Sequence, residues 1–79
     1  MDIFWNYQAV QEVQYRPELG WYVTYGIRAS KKTVQGWEWI EWVHDVTTDR
    51  RLAGRLAETF RRYQLSPVHL REAILDKIP

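Results

Sequence analysis

The stretch from Tyr63 to Leu70, Y-Q-L-S-P-V-H-L, dictates a sharp corner and so limits what can lie on either side of it. Ser66 is a residue of the type that caps a helix N-terminus. Pro67 follows at the first helical position, where its missing N–H costs nothing and its fixed φ suits the helix. Leu65 before the cap and Leu70 at the fourth helical position have the spacing of a hydrophobic staple. One helix is therefore predicted to end near Gln64 and another to begin at Pro67.

Upstream of the corner the apolar period is two. From Ile3 to Tyr15 the odd positions read Ile, Trp, Tyr, Ala, Gln, Val, Tyr, the pattern of a strand with one buried face interrupted at Gln11. Arg16-Pro17-Glu18-Leu19-Gly20 is a turn. Trp21 to Ala29 alternates again, and Gly26 in its middle predicts a bulge or a close approach by another side chain. Ser30 to Gly36 reads as an exposed connection. A third strand runs from Trp37 to Val46, but its phase slips: Trp37 and Trp39 share one face, while Ile40, Trp42, His44 and Val46 share the other. Either a bulge near Ile40 re-aims the strand, or the strand is apolar on both faces and the sheet needs a second cover, which this chain lacks the helices to supply.

Downstream the period becomes helical. Thr47-Thr48-Asp49 is a helix start with a hydroxyl cap and an acid in the first turn. Leu52, Ala53, Leu56, Ala57, Phe60 and Tyr63 then form one apolar stripe, opposite Arg51, Arg55, Glu58 and Arg62. Gly54 lies beside the stripe, where a bulky ring could press on the backbone. The last helix offers Leu70, Ala73, Ile74 and Ile78, with Val68 and Leu75 to one side. The predicted fold is α+β in a single domain over residues 1–79: a three-stranded antiparallel meander (strands at about 3–15, 20–29 and 37–46) followed by a two-helix hairpin (about 49–63 and 67–76) packed on one face.

A chain of 79 residues without cysteine has a thin core and neither disulfides nor thiolate metal sites to support it. Five Trp, five Tyr and two Phe supply the apolar area instead. Twelve rings fill such a core or exceed it, and those left over form a contact surface. The opening M-D-I-F-W-N-Y lacks the basic flank and apolar core of a signal peptide, and no run approaches the roughly 20 apolar residues that span a bilayer. The expectation is a cytoplasmic protein with no membrane contact. Charge is uneven: four bases face six acids up to Asp45, and seven face four from Val46 on.

Little here serves catalysis. His44 and His69 are not paired at metal-ligand spacing with each other or with Asp45, Asp49 or Glu72. His44 reads as a packed or half-exposed side chain, and His69 as a support of the corner or a solvated residue. Ser66 is accounted for by capping. Gly20, Gly26, Gly36 and Gly54 are scattered and build no phosphate loop. No enzyme, catalytic residue, metal or cofactor is expected.

Two binding classes are left. The corner resembles the helix-turn-helix of many DNA-binding proteins, with Arg51, Arg55, Arg62 and Arg71 as candidate nucleic-acid contacts. It departs from that motif by Phe60 at the usual small residue, Gln64 at the usual turn glycine, and the lack of a third helix. Association through the sheet is the leading class, with Trp21, Trp37, Trp39, Trp42 and Tyr22 as interface candidates of the types that anchor protein contacts. A homodimer is expected, with another protein partner as a further possibility.

Three segments, T-Y-G-I at Thr24 to Ile27, H-D-V-T-T-D-R at His44 to Arg50 and R-Y-Q-L-S-P-V-H-L at Arg62 to Leu70, carry a resemblance. The chain resembles a family of short, uncharacterised bacterial proteins found mainly in Firmicutes and grouped as a domain of unknown function. W-E-W-I-E-W and Trp5 stand outside the resemblance. It implies a small cytoplasmic α+β protein and no catalytic residue to carry over.

Overall fold

The computed structural model describes residues 4–77. Strands β1 (Trp5–Arg16), β2 (Gly20–Thr33) and β3 (Gly36–Thr47) form one antiparallel sheet in the order β1-β2-β3. Helices α1 (Arg50–Arg62) and α2 (Leu70–Lys77) follow, joined through a 3-10 turn at Pro67–His69. This is the α+β order the sequence predicts. The predicted start of β1 at Ile3 and the apolar Ile78 lie outside the described residues.

One face of the sheet meets the helices. Tyr7, Ile27 and Ala29 from the sheet, Leu56, Ala57 and Phe60 from α1, and Leu70 and Ile74 from α2 form the buried core, with Trp5, Val43, Leu52 and Leu65 packed against it. The Tyr7 and Phe60 rings meet edge to face at 5.6 Å, a favoured aromatic geometry. The Tyr7 hydroxyl donates to the Leu65 carbonyl, so the ring brings its polar tip to a partner at the corner. Burial pushes that hydroxyl's pKa up to about 12, because the phenolate would lose water.

Several local expectations need correcting. Ser30 to Thr33 is not a loop but the end of β2, and Ser30 is buried. The hairpin turn is only Val34-Gln35, held by the Thr33 hydroxyl, which accepts from the Gln35 N–H and donates to the Gly36 carbonyl. The cap of α1 is the Asp49 carboxylate, not a threonine hydroxyl. It accepts from the N–H groups of Arg51 and Leu52 at 2.9 and 3.2 Å, so the acid stands at the cap and the first turn holds none. Ser66 occupies its predicted cap position but its side chain makes no capping bond, because a tight 3-10 turn follows in which its carbonyl accepts the His69 N–H. Regular α-helix begins only at Leu70. Tyr63 leaves the stripe and is exposed, since α1 ends at Arg62, and nothing outside the helix lies within 4 Å of a Cβ built at Gly54.

The corner closes through Gln64. It takes φ +50, the left-handed region that usually goes to glycine after a helix. Its side-chain amide compensates. Oε1 accepts from the N–H groups of Phe4 and Trp5, both at 2.8 Å, and Nε2 donates to the carbonyls of Trp5 and Arg61 at 2.9 and 2.6 Å. One amide therefore ties the end of α1 to the start of β1.

Candidate functional site

β3 shows how the sequence assembles a surface. Its register against β2 pairs Trp42 with Arg28, Trp39 with Ser30 and Trp37 with Lys32, and shifts between Ala29 and Ser30. Ile40 is the extra residue. Because side chains alternate with period two, one inserted residue reverses the phase beyond it. Trp37, Trp39, Trp42 and His44 thus share the face away from the helices, while Glu38, Glu41 and Val43 turn to the helix side. Of the two explanations for the phase slip, the bulge is the one the structure adopts.

The outer face is a packed column of planar groups. The Arg28 guanidinium lies 3.7 Å from the Trp39 ring centroid and 5.1 Å from that of Trp42, within cation–π range of both. Its Nη2 donates to the Gln8 amide oxygen at 3.1 Å, and its Nε is buried with no partner among the described residues. Trp42 stacks on His44 at 4.5 Å. His44 Nδ1–H donates to Glu12, whose side chain is 8% exposed. The other Glu12 oxygen accepts the Asp45 backbone N–H at 2.9 Å. Gly26 opposite is obligatory: a Cβ there would lie 2.8 Å from the Val43 carbonyl oxygen and 3.0 Å from both Glu12 oxygens. The close approach predicted from the sequence is the passage of Glu12 beneath the strand.

A second irregularity follows at Asp45, which has φ +52, a conformation aspartate tolerates better than most residues. Its carboxylate accepts from the Tyr22 hydroxyl at 2.7 Å and from Arg16 at 2.8 Å. The Tyr22 bond is the main cause holding the Asp45 carboxyl below the usual carboxylate range, and the same bond raises the Tyr22 hydroxyl. Tyr22 is thus a clamp rather than a free contact ring.

The five interface candidates therefore do not form one site. Trp37, Trp39 and Trp42 stand together outside, with rings roughly half exposed. Trp21 is on the helix-side face, beside Tyr15 at 5.2 Å, and Tyr22 is engaged with Asp45. Nor do the arginines form one site. Arg62 pairs with Glu58 at 3.3 Å, as its spacing predicts, and Arg71 pairs with Glu41 at 3.5 Å. Arg51 and Arg55 are exposed on α1 and make no ion pair among the described residues. His69 is exposed. Among the described residues no group of three or more His, Cys, Asp or Glu is placed to hold a metal, and no helix is long and apolar enough to cross a membrane. Arg28, Glu12 and Gln64 carry the outer face and the corner; of these Glu12 had a signal in the sequence through Gly26, Gln64 had one through its place at the usual turn glycine, and Arg28 had none.

No match is found among the curated proteins or among the solved structures. A family model matches the whole chain, residues 1–79, and the protein accordingly belongs to that family, the family of unknown function DUF6514.

Proposed function

We propose that this protein is a non-catalytic binding module that grips a protein partner with the tryptophan face of its sheet. The observation that carries the reading is the bulge at Ile40, which gathers Trp37, Trp39 and Trp42 on one open face and sends Glu38 and Glu41 to the other. Tryptophan and arginine are the types that most often dominate binding energy. Packing of Arg28 between Trp39 and Trp42 holds the rings in place before a partner arrives, which lowers the ordering cost of association. On the tryptophan face Lys32 is exposed and Arg28 is half-buried between the rings, while Glu38 points to the helix side and Glu12 is turned inward onto His44. Such a face suits an apolar protein surface rimmed with acidic side chains.

Affinity capture from nuclease-treated native lysate tests this. A partner held by the wild type, lost with Trp37→Ala and Trp39→Ala and weakened by salt, is the expected result. Capture that survives both substitutions, or disappears with nuclease, overturns it.

A second reading is favoured by Arg51 and Arg55, whose guanidinium groups make no ion pair among the described residues and are exposed on α1 along with Arg50. It takes the protein to nucleic acid through phosphate contacts. Binding should then weaken steeply with salt, and Arg51→Ala with Arg55→Ala should flatten the slope. No binding at low salt disposes of it.

A further inference from the structure

The helices cover only part of the face they pack on. Strands of 12 and 14 residues at ~3.3 Å each reach about 40 to 46 Å, in line with the 44 Å long axis of the molecule. The 13 residues of α1 at ~1.5 Å each reach only about 20 Å. The outer half of the β1–β2 hairpin is therefore bare on the helix side. Its residues there are in phase with buried Tyr7, Ile27 and Ala29, yet all are exposed: Val13 opposite Val23, and Tyr15 opposite Trp21, which is 74% accessible. No charged side chain interrupts the four. Contiguous apolar surface of this kind marks an interaction site more often than chance exposure.

Charge at the two ends of this patch points to the occupant. The hairpin tip carries Glu18, exposed in the turn between β1 and β2. At the inner end, where Ala9, Gln11 and Tyr25 border α1, a groove is lined by Arg50 and Gly54, and Arg51 is next in the chain. Neither arginine makes an ion pair among the described residues. Arg16 at the tip is held by Asp45 on the other face, and Asp49 is held by the N–H groups of Arg51 and Leu52. With these two engaged, Glu18 at one end and Arg50 and Arg51 at the other make the patch complementary to itself when turned end for end. Two-fold stacking of hairpin on hairpin sets each tip against the start of the other copy's α1 and satisfies the charges twice. Two such patches, each holding two large rings and two valines, bury on the order of 1,000 Å² in total, where specific interfaces begin.

We infer that the bare half of the β1–β2 hairpin is the docking surface for a second copy of this chain, Val13, Tyr15, Trp21 and Val23 packing on their symmetry equivalents with Glu18 against Arg50 and Arg51. This surface lies on the opposite side of the sheet from the tryptophan column and stands whether or not that column binds a partner.

Sedimentation equilibrium over a concentration series is the test. The wild type should be a dimer that dissociates on dilution. Trp21→Ala should raise the dimer dissociation constant at least about thirtyfold, the size of an interface hot spot, with an unchanged far-ultraviolet spectrum. Trp39→Ala, on the other face, should leave it unchanged. Glu18→Arg should weaken the dimer, and adding Arg50→Glu and Arg51→Glu should restore it. A wild type that is monomeric at high micromolar concentration overturns the inference. So does a dimer that survives Trp21→Ala, one that is lost with Trp39→Ala, or one that the charge swap fails to rescue.

Discussion

The side chain of Gln64 pairs with the backbone of Trp5 as a neighbouring strand would: its amide oxygen accepts the Trp5 N–H at 2.8 Å and its amide nitrogen donates to the Trp5 carbonyl at 2.9 Å. The bond to Phe4 N–H and the bond to Arg61 carbonyl complete the set. Replacing Gln64 by Ala removes all four partners and keeps the left-handed backbone cost. With about 1 kcal/mol net for each hydrogen bond of which water replaces some, we expect a loss of about 2 kcal/mol by urea unfolding. Gln64→Gly should lose less, by about 1 kcal/mol, because glycine adopts the left-handed conformation freely. Equal losses for the two variants would show that the backbone conformation carries no cost here.

Tyr7 should make the fold sensitive to alkali. Its hydroxyl has a folded pKa of about 12 against roughly 10 in an unfolded chain. Between those values the unfolded chain releases the proton first, so stability is complete below about pH 10 and falls as pH rises toward 12. Tyr7→Phe should flatten this alkaline loss while costing about 1 to 2 kcal/mol at neutral pH, since the Leu65 carbonyl loses its donor. Denaturant midpoints against pH for both proteins measure it.

Asp45 acts in the opposite direction. Tyr22 holds its carboxyl below the usual range, so the contribution is present above the ordinary carboxylate pKa of about 4 and is lost as pH falls through the folded value. Asp45→Asn, which keeps a residue tolerant of positive φ, should remove that acid sensitivity, and Tyr22→Phe should reduce it. The readout is the thermal midpoint across the acid range, and parallel profiles in the wild type and Asp45→Asn would contradict the clamp.

Two glycines should respond with opposite sign. Gly26→Ala places a methyl group 2.8 Å from a backbone carbonyl and 3.0 Å from Glu12, neither of which can move without disturbing His44 and Asp45. A cost of about 2 to 3 kcal/mol is expected, in the upper range of overpacking. Gly54→Ala meets nothing outside its helix within 4 Å and should stabilise by up to about 1 kcal/mol through helix propensity. Chemical denaturation of both variants decides it.

The order of elements was legible because it is written in periods: two up to Val46, then about 3.6 from Leu52 on. The corner was legible because Pro67 and Leu70 act over a few residues. What could not be read depends on contacts distant in the chain. The polar run Ser30-Lys31-Lys32 looks like a loop until β3 is placed beside it, when Lys31 and Lys32 become cross-strand partners of Glu38 and Trp37. Gln64 is one more polar residue after a helix until Trp5, 59 positions earlier, arrives within reach. For the site, the doubled phase of Trp37 to Val46 signalled an irregular strand. Only the register settled that the tryptophans gather on one side, and Tyr22 and Trp21 fell elsewhere because their ladder partners did.

β3 lies at the rim of a three-stranded sheet, with a backbone edge that another chain could extend. A flat rim strand carrying three tryptophans would be a template for fibrous growth. The extra residue at Ile40 interrupts the regular spacing of free N–H and carbonyl groups along that rim, so an incoming strand finds no unbroken run to match. Deleting Ile40 would make the ladder continuous, keep all three tryptophans on the outer face of a straightened edge, and leave a protein whose hazard in the cell is aggregation.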